Sequence, residues 1–149
     1  MKLPAEEKAR LEQLCSQFRI DLIETLHARQ TGHPGGSLSL CEILSVLYFE
    51  EMNVDPANPK MADRDRMVLC KGHAAPILYR ILAEKGFFPV EEMATLRCFE
   101  TRLQGHPCPL ETPGVDAATG PLGIGLSAAL GMSMALKLDN SPARVYAIL

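Results

Sequence analysis

Three of the four histidines in this 149-residue chain lie in short segments that also contain glycine. The segments are GHPGGSLS at 32–39, KGHA at 71–74 and GHP at 105–107. Glycine allows the backbone to come close to a ligand, and imidazole can donate, accept or carry a proton near neutral pH. The pattern therefore predicts a fold in which three loops meet at one polar site.

The hydrophobic pattern predicts an α/β fold with parallel strands. Residues 67–70 form a short apolar run bounded by charges and by Gly72, which is typical of a buried central strand. An apolar helical face follows and ends at Gly86. His73 then lies at a strand-to-helix turn, where ligands bind in open α/β sheets. Residues 145–149 form a second apolar run, which predicts a second buried strand.

Three further helices are expected. The first runs from about Pro4 to Gly32, because its apolar residues recur at three- and four-residue steps. Ser39 followed by Glu42 is a capping box, which predicts the start of a second, largely buried helix. Residues 122–138 carry leucine or methionine at every fourth position, with small residues between them. We expect this stripe of leucine and methionine to lie in the core.

The composition limits the classes of protein that the chain can belong to. With 47% hydrophobic and 22% charged residues it is typical of one globular domain. The net charge of -3 and the interspersed charges are unlike a nucleic-acid-binding surface. No segment reaches the ~20 apolar residues of a membrane span, and the first residues lack the apolar core of a signal peptide. We expect neither nucleic acid nor membrane as a partner.

The five cysteines are odd in number and include no Cys-x-x-Cys pair. This usage predicts reduced thiols and a cytoplasmic location. His106 and Cys108 could in principle share a metal ion. Two ligands without a second matching pair are a weak signal, so no zinc site is predicted.

The order of four motifs carries a family resemblance. GHPGGSLS is followed by DRDRMVLCKGHA at 63–74, by GHP, and by TGPLG at 119–123. From about Leu11 to its last residue, the chain resembles the start of transketolase, a thiamine diphosphate enzyme. The resemblance implies a partial thiamine-diphosphate-binding α/β fold with parallel strands and helices on both faces. Residues 1–149 would form an incomplete amino-terminal domain of this type.

The resemblance also implies roles for individual residues. His33 and His106 would line the substrate channel beside the ketose, and His73 would reach the cofactor diphosphate and the substrate side of the thiazolium. The implied activity is transfer of a two-carbon ketol unit between sugar phosphates, as in the pentose phosphate pathway. The histidines would move protons on sugar hydroxyls, while the cofactor supplies the electron sink. The backbone of three residues would contact the thiazolium and aminopyrimidine end of the cofactor: Gly120, Pro121 and Leu122.

In transketolases the magnesium ion on the diphosphate is held by a Gly-Asp-Gly segment and a later asparagine. The Gly-Asp-Gly follows the strand that residues 145–149 match, and the glutamate that protonates the aminopyrimidine lies in the second domain. We therefore expect no metal ligands within this chain and no turnover without a carboxy-terminal transketolase part or subunit. The resemblance implies a homodimer or a heterotetramer. Ile124 and Ala118 depart from the family pattern and would loosen polar contacts near the cofactor.

The residues also allow other interpretations. The chain could be a non-catalytic interaction module that docks through its small-residue helix, or a truncated gene product without function. KGHA favours transketolase over deoxyxylulose-phosphate synthases, but dihydroxyacetone synthase stays open. Taken alone, His73 could be a structural histidine behind a strand, and 105–107 a surface turn. His27 lies outside every motif and is expected to be a surface residue.

Overall fold

A computed structural model describes residues 3–149, which contain a two-stranded parallel sheet. Strand β1 spans Arg66–Leu69 and strand β2 spans Val145–Ile148. In their register Val68 lies opposite Ala147. Both predicted strands are confirmed. Strand β2 is half-buried rather than buried, since within residues 3–149 it pairs on one side only.

Within the described chain, helices α1 to α5 surround this sheet: α1 (Ala5–Arg29), α2 (Pro34–Leu38), α3 (Cys41–Val46), α4 (Ala75–Lys85) and α5 (Ile124–Leu138). Helix α3 continues into a wider π-helical turn at Leu47–Glu51. Short 3-10 turns occupy Gly72–Ala74 and Val90–Thr95. The predicted helix end at Gly86 is confirmed, where a φ of +101° suits glycine.

The side chains of β1 alternate between two faces of the sheet. Met67 and Leu69 are buried in the larger core, together with side chains of α1, α3 and α4. Val68 and Cys70 point to the other face and pack with Ala129 of α5. The sheet therefore has helices on both faces, as the sequence predicted.

Helix α1 leads the chain into the first histidine segment. After α1 the chain turns at Gln30, which has a φ of +50°, and at Gly32, which has a φ of +122°. Residues with a Cβ atom rarely adopt the φ of Gly32, so the backbone of this turn favours glycine. The turn places His33 at the N-cap of α2. The buried side chains of α1 follow the spacing of one helical face: Leu11, Cys15, Phe18, Leu22 and Leu26.

The predicted capping box is wrong. The Ser39 hydroxyl donates to the Gly36 carbonyl at 3.0 Å, and no side chain caps the start of α3. Glu42 instead forms an ion pair with Arg19 of α1. The reason is that a helical turn already begins at Pro34, whose fixed φ suits the first position of a helix.

The predicted burial of the stripe on α5 is also wrong. Gly125 and Ala129 face the sheet, and a Cβ atom on Gly125 would lie 2.6 Å from the Cα of Cys70. These small residues bring α5 close to the sheet and turn its large side chains towards solvent. The exposed residues, which we call the apolar face of α5, are 49–81% exposed: Leu126, Leu130, Met134 and Leu138.

The cysteines were expected to be reduced. All five cysteines are free, and Cys15, Cys41 and Cys70 are buried, whereas Cys98 and Cys108 are partly exposed. Among residues 3–149, no helix combines the length and the apolar character that a membrane span needs.

We predict that the chain self-associates at micromolar concentration through the apolar face of α5, because association removes this surface from water. Leu130→Gln should weaken the association by about 10- to 100-fold, since burial of a leucine is worth about 1.5–3 kcal/mol. Sedimentation velocity over a concentration series measures the change. Ala9→Gln, at an exposed position of α1, is the control and should leave association unchanged. A parent chain that stays monomeric would contradict the prediction.

We predict that Cys98 and Cys108 react rapidly with a chromogenic disulfide reagent at about pH 8, whereas the three buried thiols react only on unfolding. Burial raises the pKa of Cys41 from 9.0 to about 11. The folded chain therefore keeps a proton that the unfolded chain releases, and the free energy of unfolding should fall as pH rises through this interval. Urea denaturation at several pH values measures the free energy of unfolding. Rapid reaction of all five thiols in the folded chain would show the prediction wrong.

Candidate functional site

The second histidine segment lies directly beyond the carboxyl end of β1. His73 sits in the 3-10 turn Gly72–Ala74 that links β1 to α4, as the sequence predicted. A Cβ atom on Gly72 would lie 2.6 Å from the carbonyl oxygen of Thr119. Only glycine lets these two backbones approach so closely. KGHA and TGPLG, which are distant in sequence, therefore meet at this point.

The first histidine segment packs against the second. The ring centroids of His33 and His73 are 5.3 Å apart, with the ring planes at 64°. A Cβ atom on Gly36 would lie 3.7 Å from Cδ2 of His73, so the His73 ring rests over this glycine. GHPGGSLS thus supplies both a neighbouring imidazole and a flat backbone surface to His73.

The third histidine segment packs against TGPLG. A Cβ atom on Gly120 would lie 3.3 Å from Cδ2 and Cγ of the His106 ring. The buried hydroxyl of Tyr79, on α4, lies 3.0 Å from the carbonyl oxygen of Gln104 and 3.1 Å from that of His106. Its single O–H donor is shared between these two acceptors. Burial raises the pKa of Tyr79, which keeps its hydroxyl protonated as a donor.

These contacts join the four motifs into one surface, which we call the histidine site. The order of contacts is His33 to His73, Gly72 to Thr119, and Gly120 to His106. His33 and His106 are exposed, and His73 is half-buried. Grooves of 710 and 660 Å³ lie elsewhere on the chain, and no histidine lines either of them. With two of its three imidazole rings exposed, the histidine site is an open surface rather than a closed cavity.

The remaining sequence-predicted residues lie at or outside this surface. Gly120 is half-buried within it, while Pro121 and Leu122 are exposed beside it at the start of α5. His27 is exposed on α1 and takes part in none of these contacts. Sequence reasoning missed Tyr79. A tyrosine on an apolar helical face was its only sequence signal, and the loop that it anchors is distant in sequence.

The histidine site has features that fit an anionic cofactor. The hydroxyl of Thr119 is buried and has no hydrogen-bond partner within the described chain, although a buried polar group normally has one. Gly123 is the N-cap residue of α5 and no side chain caps this helix, so its first N–H groups are free to bind an anion. A Cβ atom on Gly123 would meet nothing within 4 Å, which leaves room there. A diphosphate group suits these donors together with His73.

The described residues offer little for a metal ion. Among residues 3–149, no group of three or more metal-ligating side chains occurs. The carboxylate of Asp116 serves the fold instead. It accepts the Met67 N–H at 2.8 Å and forms an ion pair with Arg64.

A family model described as transketolase, thiamine diphosphate binding domain, matches residues 11–144. The chain belongs to this family. The match includes all four motifs and confirms the transketolase resemblance. The transketolase from Campylobacter jejuni has a similar fold, with a TM-score of 0.87 and 30% identity, over 99% of this chain and 23% of that chain. The prediction of a partial α/β fold of this type is confirmed.

Two curated relatives are similar in sequence. The 6-deoxy-6-sulfo-D-fructose transketolase subunit SqwG of Clostridium sp. (strain MSTE9) is 43% identical over 145 residues, covering 97% of this chain and 53% of the relative. An apulose-4-phosphate transketolase subunit of Phocaeicola vulgatus is 42% identical over 139 residues, covering 93% of this chain and 49% of the relative. The chain thus spans about half the length of these transketolase subunits.

We predict that Gly72→Ala destabilises the fold by about 1–3 kcal/mol, because the added methyl group overlaps the Thr119 carbonyl. Gly35→Ala is the matched control, since a Cβ atom there meets nothing within 4 Å and α2 tolerates alanine. Urea denaturation measures both variants. Equal stability of the two would contradict the close packing of KGHA on TGPLG.

Proposed function

We propose that this chain forms the diphosphate-binding side of the active site of a thiamine diphosphate-dependent transketolase. The enzyme transfers a two-carbon ketol unit between sugar phosphates. The single observation that carries the proposal is the series of contacts that joins the four motifs at the carboxyl end of β1. Membership of the transketolase family supports it.

Each part of the histidine site has a role in this proposal. His73, the Thr119 hydroxyl and the first N–H groups of α5 bind the diphosphate, because they are hydrogen-bond donors at the end of a parallel strand. The backbone from Gly120 to Leu122 lies against the ring end of the cofactor. When bound, the cofactor supplies the electron sink for breaking a carbon–carbon bond.

His33 and His106 act on the sugar. Both rings are exposed, and each lies beside a residue that contacts the cofactor in this proposal: His73 and Gly120. Exposed imidazoles can hydrogen-bond to sugar hydroxyls and accept or donate their protons near neutral pH. The relative from Clostridium is named for a sulfonated fructose, so donors with a terminal sulfonate or phosphate are both candidates.

The proposal requires a second polypeptide region. Magnesium on a diphosphate needs several oxygen ligands, and the described residues hold no group of three metal-ligating side chains. A carboxy-terminal transketolase part or subunit supplies them, and the assembly is a homodimer or a heterotetramer. Both curated relatives are named as subunits, which supports a partner chain. The five free cysteines support a cytoplasmic location.

A second candidate function is a non-catalytic interaction module. The observation that favours it is the apolar face of α5, which is available for a partner without any use of the histidines. In that case the histidine substitutions described below would leave partner binding unchanged, and thiamine diphosphate would not bind to any assembly that contains the chain.

The test uses a chimera in which residues 1–149 replace the matching segment of the Campylobacter jejuni transketolase. We predict that His33→Ala and His106→Ala each lower kcat/KM for the donor ketose by about 10²-fold, the range for loss of an acid–base or orienting group. His73→Ala should also weaken cofactor binding, because a hydrogen bond to a charged group is worth about 1.5–3 kcal/mol. Coupled assays and calorimetric titration with thiamine diphosphate measure the two effects.

His27→Ala is the matched control and should change neither quantity, since His27 lies outside the histidine site. The 149-residue chain by itself should give background rates with xylulose 5-phosphate and ribose 5-phosphate. If the four substitutions behaved alike in an active chimera, the residue roles would be wrong. Turnover by the chain alone would overturn the need for a second region.

A further inference from the structure

Arg97 occupies an unusual backbone position between two histidine loops. It follows the 3-10 turn Val90–Thr95 and has a φ of +58°. This left-handed conformation is strained for a residue with a Cβ atom and is usually taken by glycine or asparagine. The backbone conformation of Arg97 therefore costs the fold conformational free energy.

The Arg97 guanidinium contacts both of the exposed histidine loops. Its Nη1 donates to the Thr31 hydroxyl at 2.8 Å, two residues before His33. Its Nη2 donates to the Gly105 carbonyl at 3.4 Å, one residue before His106. A Cβ atom on Gly105 would lie 3.2 Å from the Arg97 Nε, so the guanidinium rests on this glycine. The planar guanidinium of Arg97 thus connects the loop before His33 with the loop before His106. None of the other side chains described above hydrogen-bonds to both loops.

The segment that carries Arg97 is itself fixed. The Arg97 N–H donates to the Leu103 carbonyl at 2.9 Å, which closes the turn between them. Leu96 and Leu103 are fully buried on either side of this turn. Arg29, at the end of α1, donates from Nε to the Leu96 carbonyl at 3.1 Å. The guanidinium is therefore presented from a rigid base, and the contacts it makes can restrain the loops.

The stability of the fold does not explain why position 97 carries an arginine. Its Nε is buried and has no hydrogen-bond partner among the described residues. An unsatisfied buried donor is unfavourable, and the left-handed backbone adds to the cost. A glycine at this position would relieve both. The feature that an arginine adds is the forked connection between Thr31 and Gly105, which a lysine, with a single ammonium group, cannot reproduce.

We propose that Arg97 is a positioning residue that fixes the His33 loop relative to the His106 loop. The catalytic consequence rests on the proposed function: both rings have to address the same sugar at once. The geometric part, in which Arg97 restrains the two loops, is independent of it. The two parts can be tested separately.

The geometric test measures the exchange of the imidazole C2 hydrogen for deuterium, histidine by histidine, by mass spectrometry. The sequence suits the method, because trypsin places each of the four histidines in a different peptide. The exchange rate reports the solvent access and protonation of each ring. His27, on the exposed face of α1, is an internal reference within the same sample.

Arg97→Gly should keep the chain folded, because it relaxes the left-handed backbone, and should change the exchange rates of His33 and His106 by about twofold or more. Arg97→Lys should give the same pattern with a smaller amplitude. Thr31→Val removes only one of the two connections and should affect His33 alone. His27 should be unchanged in every variant.

Arg102→Gln is the matched control. Arg102 lies on the same segment, but its guanidinium pairs with Glu92 at 3.0 Å rather than with either histidine loop. Unchanged His33 and His106 rates in Arg97→Gly would overturn the proposal, as would an equal change at all four histidines, which indicates general loosening.

In the chimera, Arg97→Gly should lower kcat/KM for the donor by about tenfold, with the affinity for thiamine diphosphate unchanged. Arg97→Lys should recover part of the rate. If the exchange rates change as expected but the parent chimera is inactive, the proposed function fails and the loop restraint stands. If the parent is active and Arg97→Gly matches it in both rate and exchange, the positioning role is wrong.

Discussion

The close approach of Gly72 to Thr119 is the constraint on which the candidate site depends. With no Cβ atom between them, the turn after β1 and the segment before α5 share one surface. The His73 ring, its neighbour His33, and Gly120 with His106 are all placed relative to these two backbones. A side chain at position 72 would push the turn after β1 away from the segment before α5. The geometry of the site therefore depends on the absence of a side chain at Gly72.

The same surface combines two kinds of donor. Backbone N–H groups at the start of α5 and the Thr119 hydroxyl are fixed by the fold and suit a charged group that stays in place. The imidazoles of His33 and His106 are exposed instead, and in the proposed function they meet a substrate that enters and leaves. The proposed cofactor binding and the proposed chemistry on a sugar would thus be divided between groups fixed by the fold and exposed side chains.

Much of the fold could be predicted from local sequence patterns. The strand predicted at 67–70 corresponds to β1, because a short apolar run between charged residues is typical of a buried strand. Helix α4 ends at Gly86, as expected. The stripe on α5 was misjudged because periodicity shows that a helix has two faces but not which of them meets the sheet. Small residues faced the sheet at Gly125 and Ala129. Tyr79 and Arg97 were missed because their partners are distant in sequence and no local pattern encodes such contacts.

The carboxylate of Asp116 occupies a backbone donor at one edge of the sheet. It accepts the Met67 N–H at the edge of β1 that faces away from β2. A carboxylate offers acceptors but no donor, and its ion pair with Arg64 holds it there, so the Met67 N–H is not available to a strand that approaches from this side. Within the described chain the outer edge of β2 has no neighbouring strand. One acidic side chain thus makes the two edges of the sheet differ in the backbone groups that they offer to a further strand.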